Sequence, residues 1–283
     1  MMPNFLIIGA HKAGTTSIAD WLRNHPEVFI PELKEPRFFA FDSTDPEFLK
    51  KPRHVFSVRT MSEYERLFDN AHGRKAIGEA SPQYLPSNYA CEAIYSALPQ
   101  VKIIVSLRHP VLRAYSQYWM RVRLGRETRA FEAAFATSEE WVTTSFYHDN
   151  IKRYLDRFGH AQVAGLLFER LITEPRLELT KLSRFIDINP NLGMHSLPFE
   201  NAGRISKFPT INKLSDNRQL SLLSRRVLPR SLVHFVRKAL SRSSRPTPKL
   251  SPDRSSELMI RFLDDVYRTE DLLKMDLAKH WLK

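Results

Sequence analysis

The stretch Phe5-Leu-Ile-Ile8, continuing as Gly9-Ala-His-Lys-Ala-Gly-Thr-Thr16 and then through Ile18, Trp21 and Leu22, reads as strand, tight loop and helix. Four consecutive apolar residues suit a buried parallel strand, two glycines permit a tight turn, and a helix start aims backbone N–H groups at whatever lies in the loop. Such a loop attracts phosphate. Its spacing departs from the nucleoside-triphosphate loop G-x-x-x-x-G-K-[ST], in which a lysine follows the second glycine and a hydroxyl binds magnesium. Gly9 and Gly14 keep the interval, but Thr15 stands where that lysine would be, and Lys12 lies two places before Gly14. An ammonium group serves the loop without the metal-binding arrangement of a kinase.

Outward from this stretch the alternation continues. Val28 to Ile30 and Ala76 to Gly78 read as short strands, Val101 to Leu107 as a strong one by its β-branched content, and Val163 to Phe168 as another. Helical spacing marks Met61–Ala71, Asn88–Leu98, Val111–Leu124, Phe146–Phe158 and Pro175–Ile186. Strands alternating with helices predict an α/β, P-loop-like three-layer fold with a central parallel sheet flanked by helices. Ligands of such sheets bind at the carboxyl ends of strands, where Gly9–Thr16 and Arg108–Pro110 both fall. Asp42–Arg59 carries prolines and no clear period and reads as irregular and exposed; Glu79–Tyr84 reads as a turn. Beyond Asn189 come a polar loop, a basic amphipathic stretch from Leu220 to Leu240 broken at Pro229, a Ser/Pro/basic linker, and one long helix from Ser255 to Met275. The expected organisation is a single domain over 1–283, with an α/β core at 1–188 and a basic helical extension at 189–283 packed on it.

Composition narrows the class. A chain of 283 residues with 42% hydrophobic content can bury a substantial core. It holds no apolar run near the ~20 residues needed to cross a membrane, and Phe5 to Ala10 is too short for the apolar region of a signal peptide. A cytoplasmic location is the expectation. Cys91 is the only cysteine, which excludes an intrachain disulfide and a cysteine zinc site. The net charge of +12 is concentrated: Arg204 to Arg254 holds 13 Lys/Arg against Asp216 and Asp253. A basic surface favours anionic partners through steering and counterion release without choosing among nucleotides, glycans, nucleic acid and acidic lipid.

A second signature is Leu107-Arg-His-Pro-Val-Leu-Arg-Ala-Tyr-Ser-Gln-Tyr118. An arginine at a strand end offers a fork of donors to a phosphate, and Ser116, about two turns into the following helix, supplies a hydroxyl. The chain therefore offers two phosphate anchors, each after a strand. Lys12-Ala-Gly-Thr-Thr-Ser17 resembles the loop of sulfotransferases that use 3′-phosphoadenosine 5′-phosphosulfate (PAPS), and the Arg108–Ser116 stretch resembles their 3′-phosphate motif. The resemblance runs from about Phe5 to Trp281 and implies a sulfotransferase closest in character to the bacterial carbohydrate and heparan sulfate enzymes. It implies PAPS as co-substrate with no metal, the 5′-phosphosulfate on Lys12, Ala13, Gly14, Thr15, Thr16 and Ser17, and the 3′-phosphate on Arg108 and Ser116. Tyr147, in Ser145-Phe-Tyr-His148, matches a segment near the adenine, and Arg204 and Lys207 match a late basic loop that closes over the phosphates.

Sulfuryl transfer needs a nucleophile stripped of its proton, and a carboxylate within hydrogen-bond reach accepts it. Lys34-Glu-Pro-Arg-Phe-Phe39 resembles a Lys-Glu-Pro-His-Phe-Phe-like element whose glutamate is the family's catalytic base, which marks Glu35, with Glu32 as the runner-up. Arg37 stands where histidine is frequent and is a candidate for contact with the acceptor. Glu79-Ala-Ser-Pro-Gln-Tyr84 is similar to the Glu-Lys-Thr-Pro-x-Tyr element of heparan sulfate 3-O-sulfotransferases, with Ala80 in place of the lysine that helps catalysis there. Glu79 either contacts the acceptor or anchors its loop. Lys12 is then both donor ligand and leaving-group stabiliser, and the acceptor is expected on a glycan or glycolipid. Two other readings stand beside this one. A kinase-like nucleotide transferase would turn over ATP with magnesium and ignore PAPS. A polyanion- or membrane-binding module would work through Arg204–Arg254, in peripheral contact with a membrane and without specificity for nucleic acid.

Overall fold

The structure, a computed structural model, describes residues 1–42, 44–50, 56–137, 139–192, 204–205 and 245–282. The chain divides into two compact units, one made of Met1–Pro110, Phe146–Pro198 and Met259–Lys283, the other of Val111–Ser145 and Phe199–Leu258.

The first unit is built on five parallel strands: β1 (Phe5–Gly9), β2 (Val28–Phe29), β3 (Ala76–Ala80), β4 (Lys102–Leu107) and β5 (Val163–Leu167), in the order β2-β3-β1-β4-β5. β1 lies at the centre, all five of its residues buried, with Phe5 paired to Gly78 on one side and to Lys102 on the other. Its continuous apolar run is what a strand covered on both faces requires. Gly78 is needed there, because a Cβ would lie 2.5 Å from the Phe5 ring. Helices α1 (Thr15–Arg23), α9 (Phe168–Thr173) and α10 (Pro175–Phe185) cover one face. Ile18, Trp21 and Leu22 of α1 and Leu171, Leu179 and Leu182 from the later helices share a core with Phe5, Ile7 and Ile104. Each such side chain contributes about 1.5–3 kcal/mol by leaving water, so this core outweighs any single polar contact in the unit. Elsewhere α4 (Ala90–Ala97) packs on α8 (His148–Phe158), which in turn meets β5 and α12 (Leu263–Leu273). The predicted α/β fold with a flanked parallel sheet is therefore present.

The chain leaves β1 for the far edge at β2, returns through β3, and crosses back over β1 to β4. The crossing opens a crevice at the carboxyl ends of the central strands, the place where open parallel sheets bind ligands.

Two elements differ from the sequence reading. Asp42–Arg59 is not wholly irregular and exposed: α2 (Pro46–Lys50) forms, Phe48 and Val58 are buried, and Phe41, Phe48 and Phe56 gather at 4.7–5.3 Å between ring centroids. Their spacing fits no single period because the rings pack on one another rather than along one helix face. Ser255–Met275 is not one helix but α11 (Pro252–Met259), a 3-10 turn at Ile260–Phe262, and then α12. The turn drives Phe262 into the core while Ile260 stays 67% exposed. The amphipathic stretch Leu220–Leu240 lies outside the described residues.

In the second unit, α5 (Pro110–Arg123), α6 (Phe131–Ala136) and α7 (Glu140–Thr143) surround an aromatic cluster of Tyr115, Tyr118, Trp119, Phe131 and Trp141. Arg113 is fully buried there and donates to Ser145 Oγ (2.7 Å), Gln117 Oε1 (2.5 Å) and the Trp141 carbonyl. The last two of these helices carry no sequence signal strong enough to predict, being one or two turns long. Strands β6 (Arg204–Ile205) and β7 (Arg245–Pro246) pair antiparallel. None of the described helices is long and apolar enough to cross a membrane.

Candidate active site

The turn between β1 and α1 forms a cradle. Ala10 N–H donates to the Ser106 carbonyl of β4 (2.7 Å), and Ala13 N–H turns back to the Ala10 carbonyl (3.2 Å). Gly14 caps α1 with φ +82°, and a Cβ there would meet the Phe168 ring at 2.7 Å, so both the conformation and the space demand glycine. Lys12 also adopts a left-handed conformation (φ +68°). The first-turn N–H groups of Thr15, Thr16 and Ser17 have no intrahelical acceptor, and no acidic side chain occupies that turn. The positive end of a nine-residue helix is thereby left for an anion.

Arg108 follows β4 and reaches the same turn. Its Nη1 donates to the Lys12 carbonyl (3.0 Å), and its guanidinium lies over the Phe168 ring, 4.7 Å from the centroid. Burial pulls its pKa downward, and among the described residues it forms no ion pair with a carboxylate. The guanidinium is half-buried, the nearby Glu169 charge offsets only part of the cost of taking it from water, and a phosphate would offset more. The backbone around it is clamped: Tyr147 Oη donates to the Arg108 carbonyl (2.7 Å), and His109 N–H donates to Glu169 Oε1 (2.9 Å), whose other oxygen accepts from Trp281 Nε1 (3.1 Å). Burial holds His109 neutral down to about pH 4.

A cleft of about 380 Å³, open to solvent, runs from the first turn of α1 past Asp20, Lys34, Glu35 and Glu79. Glu35 is partly exposed in it, at φ +50°, and Arg37 beyond the intervening proline sits at φ +59°. Left-handed backbone at non-glycine residues is strained, and three of the sites where it occurs are Lys12, Glu35 and Arg37. Arg37 Nη2 (2.9 Å) and Gln83 Nε2 (2.6 Å) both donate to Glu35 Oε2. No donor among the described residues meets Oε1, which remains able to take a proton.

Glu79 is 1% exposed. It is the fourth residue of β3, which extends past the predicted end at Gly78, so Glu79 does not belong to the predicted turn. Tyr64 Oη (3.3 Å) and Ser81 Oγ (2.8 Å) donate to its two oxygens. Burial raises its pKa to about 7 against the pull of the nearby Tyr84 hydroxyl and the hydrogen bonds of Ser81 and Tyr64, and the Glu35 charge adds to the rise. The folded chain thus holds this proton more tightly than the unfolded one. Stability from Glu79 falls as pH rises from about 4.5 through about 7, a loss on the order of 3 kcal/mol when ionisation is complete.

The sequence model described as "Sulfotransferase family" matches residues 3–191, two thirds of the chain and the whole of this constellation from the cradle to Tyr147. The chain belongs to the sulfotransferase family. It is 28% identical over 211 residues to heparan sulfate glucosamine 3-O-sulfotransferase 5 of Mus musculus, an alignment covering 70% of the chain and 57% of that protein. The chain spans little more than half the length of such curated relatives. It also resembles the crystal structure of a sulfotransferase from Alicyclobacillus acidocaldarius, with TM-score 0.73 and 28% identity over the full length of both chains. A sulfotransferase domain from the curacin biosynthetic pathway shares the fold at TM-score 0.51 and 17% identity, over 69% of this chain and 80% of that one.

The first unit of the chain brings Lys12–Ser17, Arg108 and Tyr147 together at the cradle, and Thr15, Thr16, Glu35 and Glu79 around one cleft. Tyr147 is fully buried, its hydroxyl spent on the Arg108 carbonyl. Arg37 grips Glu35, and Glu32 is exposed and does not line the cleft. Ser116 lies half-buried on α5, in the second unit; Arg204 is placed there only by its strand pairing, and Lys207 lies outside the described residues. Sequence reasoning missed Phe168, which shapes the cradle, and Ser106, whose hydroxyl donates to the Ala13 carbonyl (2.5 Å). It also missed Gln83, the second donor on Glu35. None of these types carries a motif signal, and the partner lies 48 residues away for Gln83 and 93 for Ser106.

Proposed function

We propose that this chain transfers a sulfuryl group from PAPS to a hydroxyl or amine of a carbohydrate or glycolipid. The observation that carries the donor reading is the pairing of a helix N-terminus that has no side-chain cap with a half-buried Arg108 that is fastened to the same turn and forms no ion pair among the described residues. That pair fits a donor with two separate anionic groups. PAPS supplies an activated sulfate whose departure leaves negative charge on the bridging oxygen to the 5′-phosphate. Lys12 and the N–H groups of Thr15–Ser17 would stabilise that charge. Arg108 would hold the 3′-phosphate and so fix the donor in line. Glu35 would accept the nucleophile's proton on Oε1, its orientation set by Arg37 and Gln83.

The carbohydrate reading is supported by the 3-O-sulfotransferase relative and by the segment around Glu35. Ala80 lines the cleft in place of the lysine of the Glu-Lys-Thr-Pro-x-Tyr element, which weakens assignment to the acceptor and position of sulfation of the heparan sulfate 3-O-sulfotransferases. Labelled sulfate transfer from PAPS, screened over heparosan oligosaccharides, glycolipids and phenols, tests the proposal. Incorporation into a carbohydrate-bearing acceptor is expected. Incorporation into phenols alone would overturn the acceptor class, and magnesium-dependent phosphate transfer from ATP without sulfate transfer would overturn the reaction.

A further inference from the structure

The buried carboxyl of Glu79 is a liability in the fold, because its ionised form destabilises the chain at neutral pH and above. It is nevertheless wired to the base. Ser81 Oγ donates to Glu79 Oε2 at 2.8 Å and accepts from the backbone N–H of Arg37 at 3.0 Å. Arg37 in turn holds Glu35 through its guanidinium, from a left-handed backbone that needs outside support. Ser81 is also anchored to the cradle's own strand, its N–H donating to the Ile7 carbonyl at 3.0 Å. One chain of hydrogen bonds thus runs from Glu79 through Ser81 and Arg37 to Glu35.

We infer that Glu79 is a positioning residue for the Glu35 carboxylate, acting through Ser81 and Arg37, and that its ionisation sets the pH below which transfer slows. The inference rests on the reading of Glu35 as the base. With Glu79 ionised, the Ser81 hydroxyl gives its proton to Oε2 and turns its lone pairs toward the Arg37 N–H. Once a solvent proton binds Oε2, the bond reverses: the carboxyl donates to Ser81 Oγ, that oxygen must re-aim its two lone pairs to accept from both the carboxyl and the Arg37 N–H, and the serine proton is forced elsewhere. The support under Arg37 then loosens, and with it the alignment of Glu35. The groups facing Glu79 are Tyr64 from α3 (Met61–Glu65), Ser81 and Tyr84 from the turn after β3, and Glu35 from the cleft loop. The two tyrosines stay protonated, since burial and the Glu79 charge push both well above the usual phenol range. Glu79 is therefore the group of this buried set that changes charge near neutrality.

The test is kcat between pH 5.5 and 8.5 at saturating PAPS, with whichever of heparosan oligosaccharide, glycolipid or phenol turns over fastest. Wild type should lose rate as pH falls through about 7. Glu79→Gln, which keeps the shape and fixes the neutral form, should show no such limb and run about tenfold or more below wild type at pH 8, since small misalignments of a base are expensive. Its affinity for 3′,5′-bisphosphoadenosine should stay within about twofold, and its melting temperature at pH 8 should not fall. Ser81→Ala, which leaves the carboxyl in place and cuts the chain, should also slow turnover at pH 8; it decides the matter should Glu79→Gln not fold. A Glu79→Gln enzyme with wild-type rate at pH 8, a limb near pH 7 that persists in it, or a fully active Ser81→Ala enzyme overturns the inference. A wild-type chain that neither binds the bisphosphate nor transfers sulfate removes instead the reading on which the inference depends.

Discussion

Glu35→Gln should lower kcat by about 10²- to 10⁴-fold, the range supplied by a positioned general base. The substitution keeps the side chain's volume and its contacts with Arg37 and Gln83 in reach, because an amide oxygen can still accept from both. What it removes is the free Oε1 as a proton acceptor. The cradle is untouched, so the affinity for 3′,5′-bisphosphoadenosine should remain close to wild type. The check is steady-state kinetics beside calorimetric binding of the bisphosphate. A Glu35→Gln enzyme that turns over at the wild-type rate sinks the assignment of the base. Loss of bisphosphate binding in parallel with kcat would show that the substitution disturbed the cradle rather than proton transfer.

Lys12→Ala should lower kcat by about 10²- to 10³-fold, the usual cost of removing one preorganised donor from a developing oxyanion. Lys12 contributes to the loop in two ways that the substitution separates. Its carbonyl, which anchors Arg108, is retained; its ammonium, which would face the departing 5′-phosphate, is lost. Product affinity should therefore weaken far less than kcat. Equal losses in binding and in kcat/KM, with kcat unchanged, would mean that Lys12 binds ground state and transition state alike and does not serve the leaving group.

The parts of this site that were legible in the sequence are those written in contiguous residues. Strand, glycine interval and helix start sit together in Phe5–Leu22, and Arg108 directly follows a strand whose β-branched run declares it. The rest depends on contacts between distant segments. Glu79 looked like part of a polar turn because a charged residue after Ala-Ile-Gly resembles a strand's end. Its burial comes from Tyr64, fifteen positions earlier, closing over it. The conformation of Arg37 leaves no trace in residue type, since arginine has no preference for positive φ; Ser81, 44 positions later, supports its backbone. The Phe41–Phe48–Phe56 cluster was illegible for a related reason, its rings matching neither a period of two nor one of 3.6.

Binding of 3′,5′-bisphosphoadenosine to the wild-type chain, followed by calorimetry in EDTA and again with magnesium, tests the central claim most directly. The cradle and Arg108 offer charge and N–H donors, so the account predicts saturable one-to-one binding in both buffers, with affinity much greater than for adenosine 5′-monophosphate, which lacks the 3′-phosphate. Indifference to the 3′-phosphate, or binding of magnesium–ATP in preference to the bisphosphate, would contradict it.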